Sequence, residues 1–141
     1  MSEIQIEILA DPAASQLQAI VGLYRQAGWW PDTEQEDYER LARLVQQSHC
    51  FAVALEDGVV IGMGRAISDG VSDAYIQDVT VAEAWRGQGI GARIVRRIIE
   101  RLLCDGLGWV GLIAERGSSP FYEQLGFREM VNSRPMLLML P

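Results

Sequence analysis

Residues 79–92 read Val79-Thr80-Val81-Ala82-Glu83-Ala84-Trp85-Arg86-Gly87-Gln88-Gly89-Ile90-Gly91-Ala92. A β-branched strand ends near Val81, a short polar link follows, and a glycine-rich turn opens an amphipathic helix. Glycines at 87, 89 and 91 remove side chains where a ligand can approach the backbone. The first N–H groups of a helix have no intrahelical partner, and the helix dipole adds partial positive charge there. A strand, a glycine turn and a helix start together predict an anion site suited to phosphate. The spacing is not the G-x-x-x-x-G-K of a nucleoside-triphosphate loop. It is not the G-x-G-x-x-G of a dinucleotide site either, because the third glycine comes one residue early. The alternative is a glycine-rich strand-to-helix turn that holds no ligand.

The bulk composition narrows the setting. The chain has 141 residues, enough for one domain spanning 1–141. At 49% hydrophobic and 22% charged it can build a core. No apolar run reaches the roughly 18 residues that span a bilayer, and the start Met1-Ser2-Glu3-Ile4 carries no signal-peptide pattern. The expected location is cytoplasmic, without membrane partners. Cys50 and Cys104 show no metal or redox spacing, so both are read as reduced thiols and no metal is expected. The net charge of −7 disfavours nucleic acid as a partner. Arg93, Arg96, Arg97 and Arg101 lie along the polar face of one helix and read as a solvated face.

Outward from the glycine turn, hydrophobic periodicity gives the elements. Ile4, Ile6 and Ile8 alternate with Gln5 and Glu7, a strand pattern. Asp11-Pro12 opens a helix with Leu17, Ile20, Val21 and Tyr24 on one face, and Gly28 stops it. Trp29-Trp30-Pro31 reads as a hydrophobic plug over the core or as a wall of a substrate pocket. Thr33 to Glu36 forms a capping box for a second helix running to about Gln47. Cys50–Leu55 and Val59–Ile67 are strands joined at Asp57-Gly58, a hairpin signal. Gly62 and Gly64 predict a bulge or a close backbone approach. Ala74–Val81 pairs with the preceding strand. The helix 88–103 carries Ile90, Ile94, Val95, Ile98 and Leu102 at helical spacing. Trp109–Ala114 returns parallel to Ala74–Val81. A short helix Phe121–Leu125 and strands Phe127–Val131 and Met136–Leu140 close the chain. The fold class is α+β: a mixed, mostly antiparallel sheet of about seven strands flanked by four helices, in the order βααβββαβαββ.

Two motifs carry a family resemblance. Arg86-x-x-Gly89-x-Gly91-Ala92 resembles the acetyl-CoA pyrophosphate loop of the GCN5-related N-acetyltransferases, the GNAT superfamily. About thirty residues on, Phe121-Tyr122-Glu123-Gln124-Leu125-Gly126-Phe127 is similar to the F-Y-E-K-L-G-F signature of the same superfamily. The element order is also that of a GNAT domain. Leu23-Tyr24 with Gly28-Trp29, Ile67-Ser68-Asp69-Gly70 and Tyr75–Val81 resemble a prokaryotic GNAT group whose members are mostly called simply acetyltransferases. The 77–81 segment is also similar to a strand of glucosamine-6-phosphate N-acetyltransferases, but no basic cluster stands ready for a sugar phosphate.

The resemblance implies direct acetyl transfer from acetyl-CoA to a primary amine of a small molecule, in a ternary complex. A protein or peptide acceptor and a non-catalytic acetyl-CoA sensor are the alternatives. It implies that Gln88–Ala92 (Gln88, Gly89, Ile90, Gly91, Ala92) bind pyrophosphate, with Arg86 and Gly87 shaping the approach. Val79 and Val81 would pair with the pantetheine arm as an added strand does, and the Val81-region N–H would polarise the carbonyl. Tyr122 stands where the family's proton donor to the thiolate stands, with Phe121 beside it; the alternative for Tyr122 is core packing. Asp78 is the candidate base or a structural aspartate. By alternation it faces away from Tyr75 and Gln77, unless a bulge of the kind usual in the family turns it. Trp29, Trp30, Tyr75 and Gln77 are the candidate acceptor contacts. One departure from the family is Glu115, where many members carry asparagine against the pantetheine arm; Ser118 or Ser119 stands in. Asp69 and Asp73 read as turn residues and His49 as an exposed end residue. GNAT domains often form homodimers, and Met136–Leu140 offers an apolar contact.

Overall fold

A computed structural model describes residues 3–31 and 38–141. The Thr33–Glu36 capping box lies outside these residues. Five strands form one sheet: β1 (Ile4–Ile8), β2 (Cys50–Glu56), β3 (Val59–Ser68), β4 (Asp73–Val81) and β5 (Trp109–Leu112). They lie side by side in chain order, antiparallel through β4, with β5 parallel to β4. Helices α1 (Ala14–Gln26) and α2 (Tyr38–Gln47) precede β2, α3 (Ile90–Cys104) crosses from β4 to β5, and α4 (Ser119–Glu123) follows. A 3-10 turn, Glu83–Trp85, leads into α3.

The sheet therefore has five strands among the described residues, not seven. Phe127–Val131 and Met136–Leu140 are apolar enough for strands but join no ladder among the described residues, and a strand exists only through its ladder. The first helix begins at Ala14 with Ala13, not Asp11, at its cap, and the Gln16 side chain accepts from the Ala13 N–H at 2.8 Å.

β2 is buried along Cys50–Leu55 and sorts its side chains by parity. Phe51, Val53 and Leu55 join Ile20, Tyr24, Leu41 and Met63 in the core under α1 and α2. Cys50, Ala52 and Ala54 join Ile94, Ile98 and Leu102 in the core under α3. The α3 side of the sheet is paved with small residues. A β-carbon added at Gly62 or Gly64 would stand 3.0–3.1 Å from Ile94, and at Gly64 as close to Ile98 and Val79. Helix α3 rests on glycine, which fixes its N-terminus against the end of β4. The Asp57-Gly58 turn has both residues at positive φ, 49° and 78°, as a two-residue hairpin needs. Among the described residues no helix is long and apolar enough to cross a membrane.

Candidate active site

β4 breaks its alternation at one point. β3 and β4 pair Arg65 with Gln77 and Met63 with Thr80, so Asp78 and Val79 together oppose the single residue Gly64. This is a β-bulge, and Asp78 takes it at φ 59°, in the left-handed region. The bulge turns the Asp78 side chain to the α1 side, where the guanidinium of Arg65 reaches both it and Gln77. The expectation that Asp78 faces away from Gln77 is thereby corrected. The Tyr24 hydroxyl donates to Asp78 Oδ2 at 2.7 Å, and Arg65 Nε donates to the same oxygen at 2.6 Å. Asp78 Oδ1 has no protein partner among the described residues.

β5 pairs with β4 only from Asp73↔Trp109 to Ile76↔Leu112. Beyond Ile76, β4 runs on through Gln77–Val81 without a neighbour on that side. The divergence opens a cleft of about 910 Å3. The Ala82 N–H donates to Ile61 O, which brackets the Gly62↔Val81 pair. Val79 and Val81 therefore turn their N–H and C=O groups away from β3 and into the gap. Arg86 Nε donates to Val81 O at 2.9 Å and ties the glycine turn to the strand end.

The glycine turn lies across the cleft mouth. Gly87 and Gly89 sit at φ 78° and 80°, which L side chains rarely adopt, and an added β-carbon at either would meet open space. Their missing side chains serve the backbone path and leave the approach clear. Gly89 caps α3 without any side-chain hydrogen bond, so the amides of Ile90, Gly91 and Ala92 point outward unsatisfied. Phe121 packs over Gly91, 3.4 Å from where a β-carbon would be, and so holds α4 against the start of α3.

Tyr122 lines the cleft beside this turn. Its ring packs edge-on against Phe121 and Phe127, with centroids 4.9 and 5.8 Å away. Burial pushes its phenol up from the ordinary value near 10. Among the described residues its hydroxyl has no hydrogen-bond partner, yet no fully buried side-chain polar atom is left unpaired, so the hydroxyl reaches the cleft.

Val79, Val81, Arg86, Gly87, Gly89, Ile90, Gly91, Ala92, Ser118, Phe121, Asp78, Tyr75, Gln77 and Trp29 all line the same cleft. Gln88 is exposed and Trp30 half-buried, and neither lines it. Trp30 stacks on Tyr24 at 4.3 Å and packs against the α1–α2 core, so of the two tryptophans only Trp29 meets the cleft. Asp69 accepts from the Val71 and Ser72 amides, which lower its carboxyl below the usual range, a turn aspartate as expected. His49 Nε2 lies 2.7 Å from Asp105 Oδ2, outside the cleft lining. Sequence reasoning missed Arg116. It adopts φ 54° and its Nη1 donates to Ala27 O at 2.8 Å, bracing the β5–α4 loop against the end of α1. A single arginine in a loop carries no pattern that could have revealed this.

A family model described as the Acetyltransferase (GNAT) family matches residues 15–127. The chain belongs to the GNAT acetyltransferase family. A soybean (Glycine max) histone acetyltransferase is 40% identical over 68 residues, 48% of this chain and 29% of that protein. A rice (Oryza sativa subsp. japonica) chloroplastic serotonin N-acetyltransferase is 35% identical over 95 residues, 63% of this chain and 46% of that protein. The chain thus spans between about a quarter and a half of the length of these GNAT relatives. The crystal structure of a Trypanosoma brucei acetyltransferase superposes with a TM-score of 0.80 over 98% of this chain and 100% of that one, at 24% identity.

Proposed function

We propose that this GNAT domain transfers an acetyl group from acetyl-CoA to the primary amine of a small molecule, directly and within one ternary complex. One observation carries the reading: an unpaired strand edge, an uncapped glycine-bordered helix start and an unpartnered phenol converge on a single cleft. The residues fit acetyl-CoA at each part. The amides of Ile90–Ala92 suit its pyrophosphate, with Arg86 and Gly87 setting the turn that presents them. The open backbone of Val79 and the free N–H of Val81 suit its pantetheine arm, as an added strand pairs with a sheet edge, while Arg86 holds the Val81 carbonyl. The Val81 N–H is available to a developing negative charge on the acyl oxygen. Ser118 lines the same cleft near the cofactor arm. Acetyl-CoA supplies the activated acyl group.

Two proton movements fall to the chain. An alkylamine is mostly protonated at neutral pH and must lose a proton before it attacks. Asp78 is the group we assign. Tyr24 and Arg65 hold Oδ2, which leaves Oδ1 to take the ammonium proton, directly or through water. At the other end the leaving thiolate needs a proton, and Tyr122 supplies it. Burial raises the Tyr122 phenol, so it stays protonated across the physiological range.

The acceptor end of the cleft is aromatic. Trp29 stands at its rim, and Tyr75 lies 5.2 Å from Trp109 in a tilted pair. With Gln77 beside them, these side chains support an amine that has an apolar or aromatic body, in keeping with the name of the rice relative. Tyr75 and Ile113 are 48% and 61% exposed. That openness supports a second reading, a peptide amine, in keeping with the name of the soybean relative. The test is thiol release from acetyl-CoA against polyamines, arylalkylamines, amino sugars, amino acids and a lysine peptide. Turnover on arylalkylamines with little on the peptide is expected. Turnover on the peptide alone would reverse the acceptor reading. Acetyl-CoA binding without turnover on any amine would overturn the catalytic one.

A further inference from the structure

The loop that leaves β5 makes an uncommon turn. The Ser118 N–H donates to Glu115 O at 3.0 Å, and the two residues between them, Arg116 and Gly117, both sit at positive φ, 54° and 74°. Such a turn suits glycine, asparagine or aspartate at its central positions. Gly117 meets that demand and Arg116 does not. A β-carbon in the left-handed region is disfavoured, so arginine holds this place against the local preference of the backbone. What the side chain gains is a fixed position. Arg116 Nη1 donates to Ala27 O at 2.8 Å, at the C-terminal cap of α1, and Nη2 stands 3.8 Å from where a Gly28 β-carbon would be.

The rest of that guanidinium is unengaged. Among the described residues, Arg116 Nε and Nη2 have no hydrogen-bond partner, and no carboxylate forms an ion pair with the group. Glu115 precedes it and lines the same cleft, but the two do not pair. Arg65 is the contrast: its three nitrogens go to Asp78, Gln77 and Ser48. The chain has a net charge of −7, so a cation without a carboxylate partner in its main cleft stands out. Nε and Nη2 share one edge of the guanidinium, and that edge offers two parallel N–H groups matched to the two oxygens of a carboxylate. The neighbouring wall is aromatic. The Trp109 ring lies over Gly111, 2.8 Å from where a β-carbon would be, and against Tyr75, the cross-strand partner of Gly111.

We propose that Arg116 binds a carboxylate of the acceptor, so that the acceptor is an amine that also carries an acid group on its apolar or aromatic body. The inference rests on the small-molecule reading of the cleft and narrows it. β4 offers Asp78 to the ammonium end, and the loop after β5 offers Arg116 to the acid end. A dianionic phosphate would call for more positive charge than one guanidinium edge. The other arginine of the lining, Arg86, belongs to the glycine turn, where its Nε is tied to Val81 O. Arg116 is a binding residue in this scheme and takes no part in the proton transfers.

Matched acceptors test this: phenylalanine and aminoethylbenzoate, each against its uncharged carboxamide, in thiol release from acetyl-CoA. The acid-to-amide ratio of kcat/KM should fall at least about tenfold from wild type to Arg116→Gln for the better-placed acid, the worth of a lost charge-assisted pair of hydrogen bonds. Arg116→Lys should fall between the two. The ratio is taken within each protein, so a loosened end of α1, which would slow both acceptors, does not imitate the loss. An unchanged ratio overturns the proposal while acetyl transfer stands. So does an effect of Arg116→Gln confined to the KM for acetyl-CoA, which would place the guanidinium on the cofactor. Failure of every amine to turn over would count against acetyl transfer itself, and calorimetry of the same acids and amides on the whole chain then decides the site. Tighter binding of an acid than of its amide, lost in Arg116→Gln, supports it; equal binding overturns it.

Discussion

Tyr24, on α1, and Tyr122, on α4, differ in the company their hydroxyls keep. Tyr24 is 2% exposed and donates to Asp78 Oδ2. Burial first, and then the charge of Asp78, push its phenol far above the ordinary range. Tyr122 is packed between two phenylalanine rings, and burial alone raises it, with no carboxylate or guanidinium near enough to matter. The first hydroxyl is committed to fixing the bulge that opens β4. The second is held by its ring and left free at its oxygen. Rigid placement of a ring with an uncommitted polar atom marks a group available for chemistry. A fully partnered buried hydroxyl marks a group that holds shape.

Replacing each tyrosine by phenylalanine should split the two roles. Tyr122→Phe is expected to lower kcat for thiol release by about 10²–10⁴-fold, the usual worth of a placed acid. Tyr24→Phe should cost turnover less than about tenfold, through a looser Asp78. Equal losses in the two variants would break the distinction. Asp78→Asn removes the charge on which Tyr24 and Arg65 converge. It should lower kcat with a shift of the rate profile to higher pH, because the amine must then arrive already neutral.

Stability should rank the other way. Tyr24→Phe withdraws a hydrogen bond to a carboxylate and should cost about 1.5–3 kcal/mol in urea unfolding. Tyr122→Phe removes no protein hydrogen bond and should stay within about 0.5 kcal/mol of wild type. The smallest effect is in the pH dependence. A phenol whose pKa is raised by folding contributes stability that is full below the unfolded value near 10 and is lost as pH rises beyond it. Thermal unfolding should therefore fall more steeply above about pH 10 in wild type than in Tyr24→Phe. Cys50, also raised by burial, begins to add its own loss nearer 9 in both proteins, so the difference between the curves isolates Tyr24.

The glycine-turn side of the cleft was legible in the sequence because its signals are local. Glycines at positive φ, a helix period and an aromatic motif each speak within a few residues, and Gly87, Gly89, Phe121 and Tyr122 came together as expected. The β4 side of the cleft depends on one irregular residue. Nothing in Gln77-Asp78-Val79 announces a left-handed aspartate, since the bulge is fixed by Tyr24, 54 positions away in sequence, and by Arg65. Strict alternation therefore puts Asp78 on the other face, and only the bulge that the family resemblance allows for brings it round. Trp29 and Trp30 were indistinguishable by type, and only the stack on Tyr24 separates the core residue from the cleft residue. The last two expected strands failed for a different reason. Apolar β-prone residues declare that a segment suits a sheet, but they do not name the edge it pairs with.

Amide exchange with and without acetyl-CoA reads where acetyl-CoA sits on the chain. Slowed exchange confined to residues 79–81, 89–92 and the Phe121–Tyr122 region, with β1 and the His49 junction unchanged, is the predicted result. Slowed exchange centred instead on the hollow lined by Glu129–Met136, or none anywhere under saturating acetyl-CoA, would contradict it.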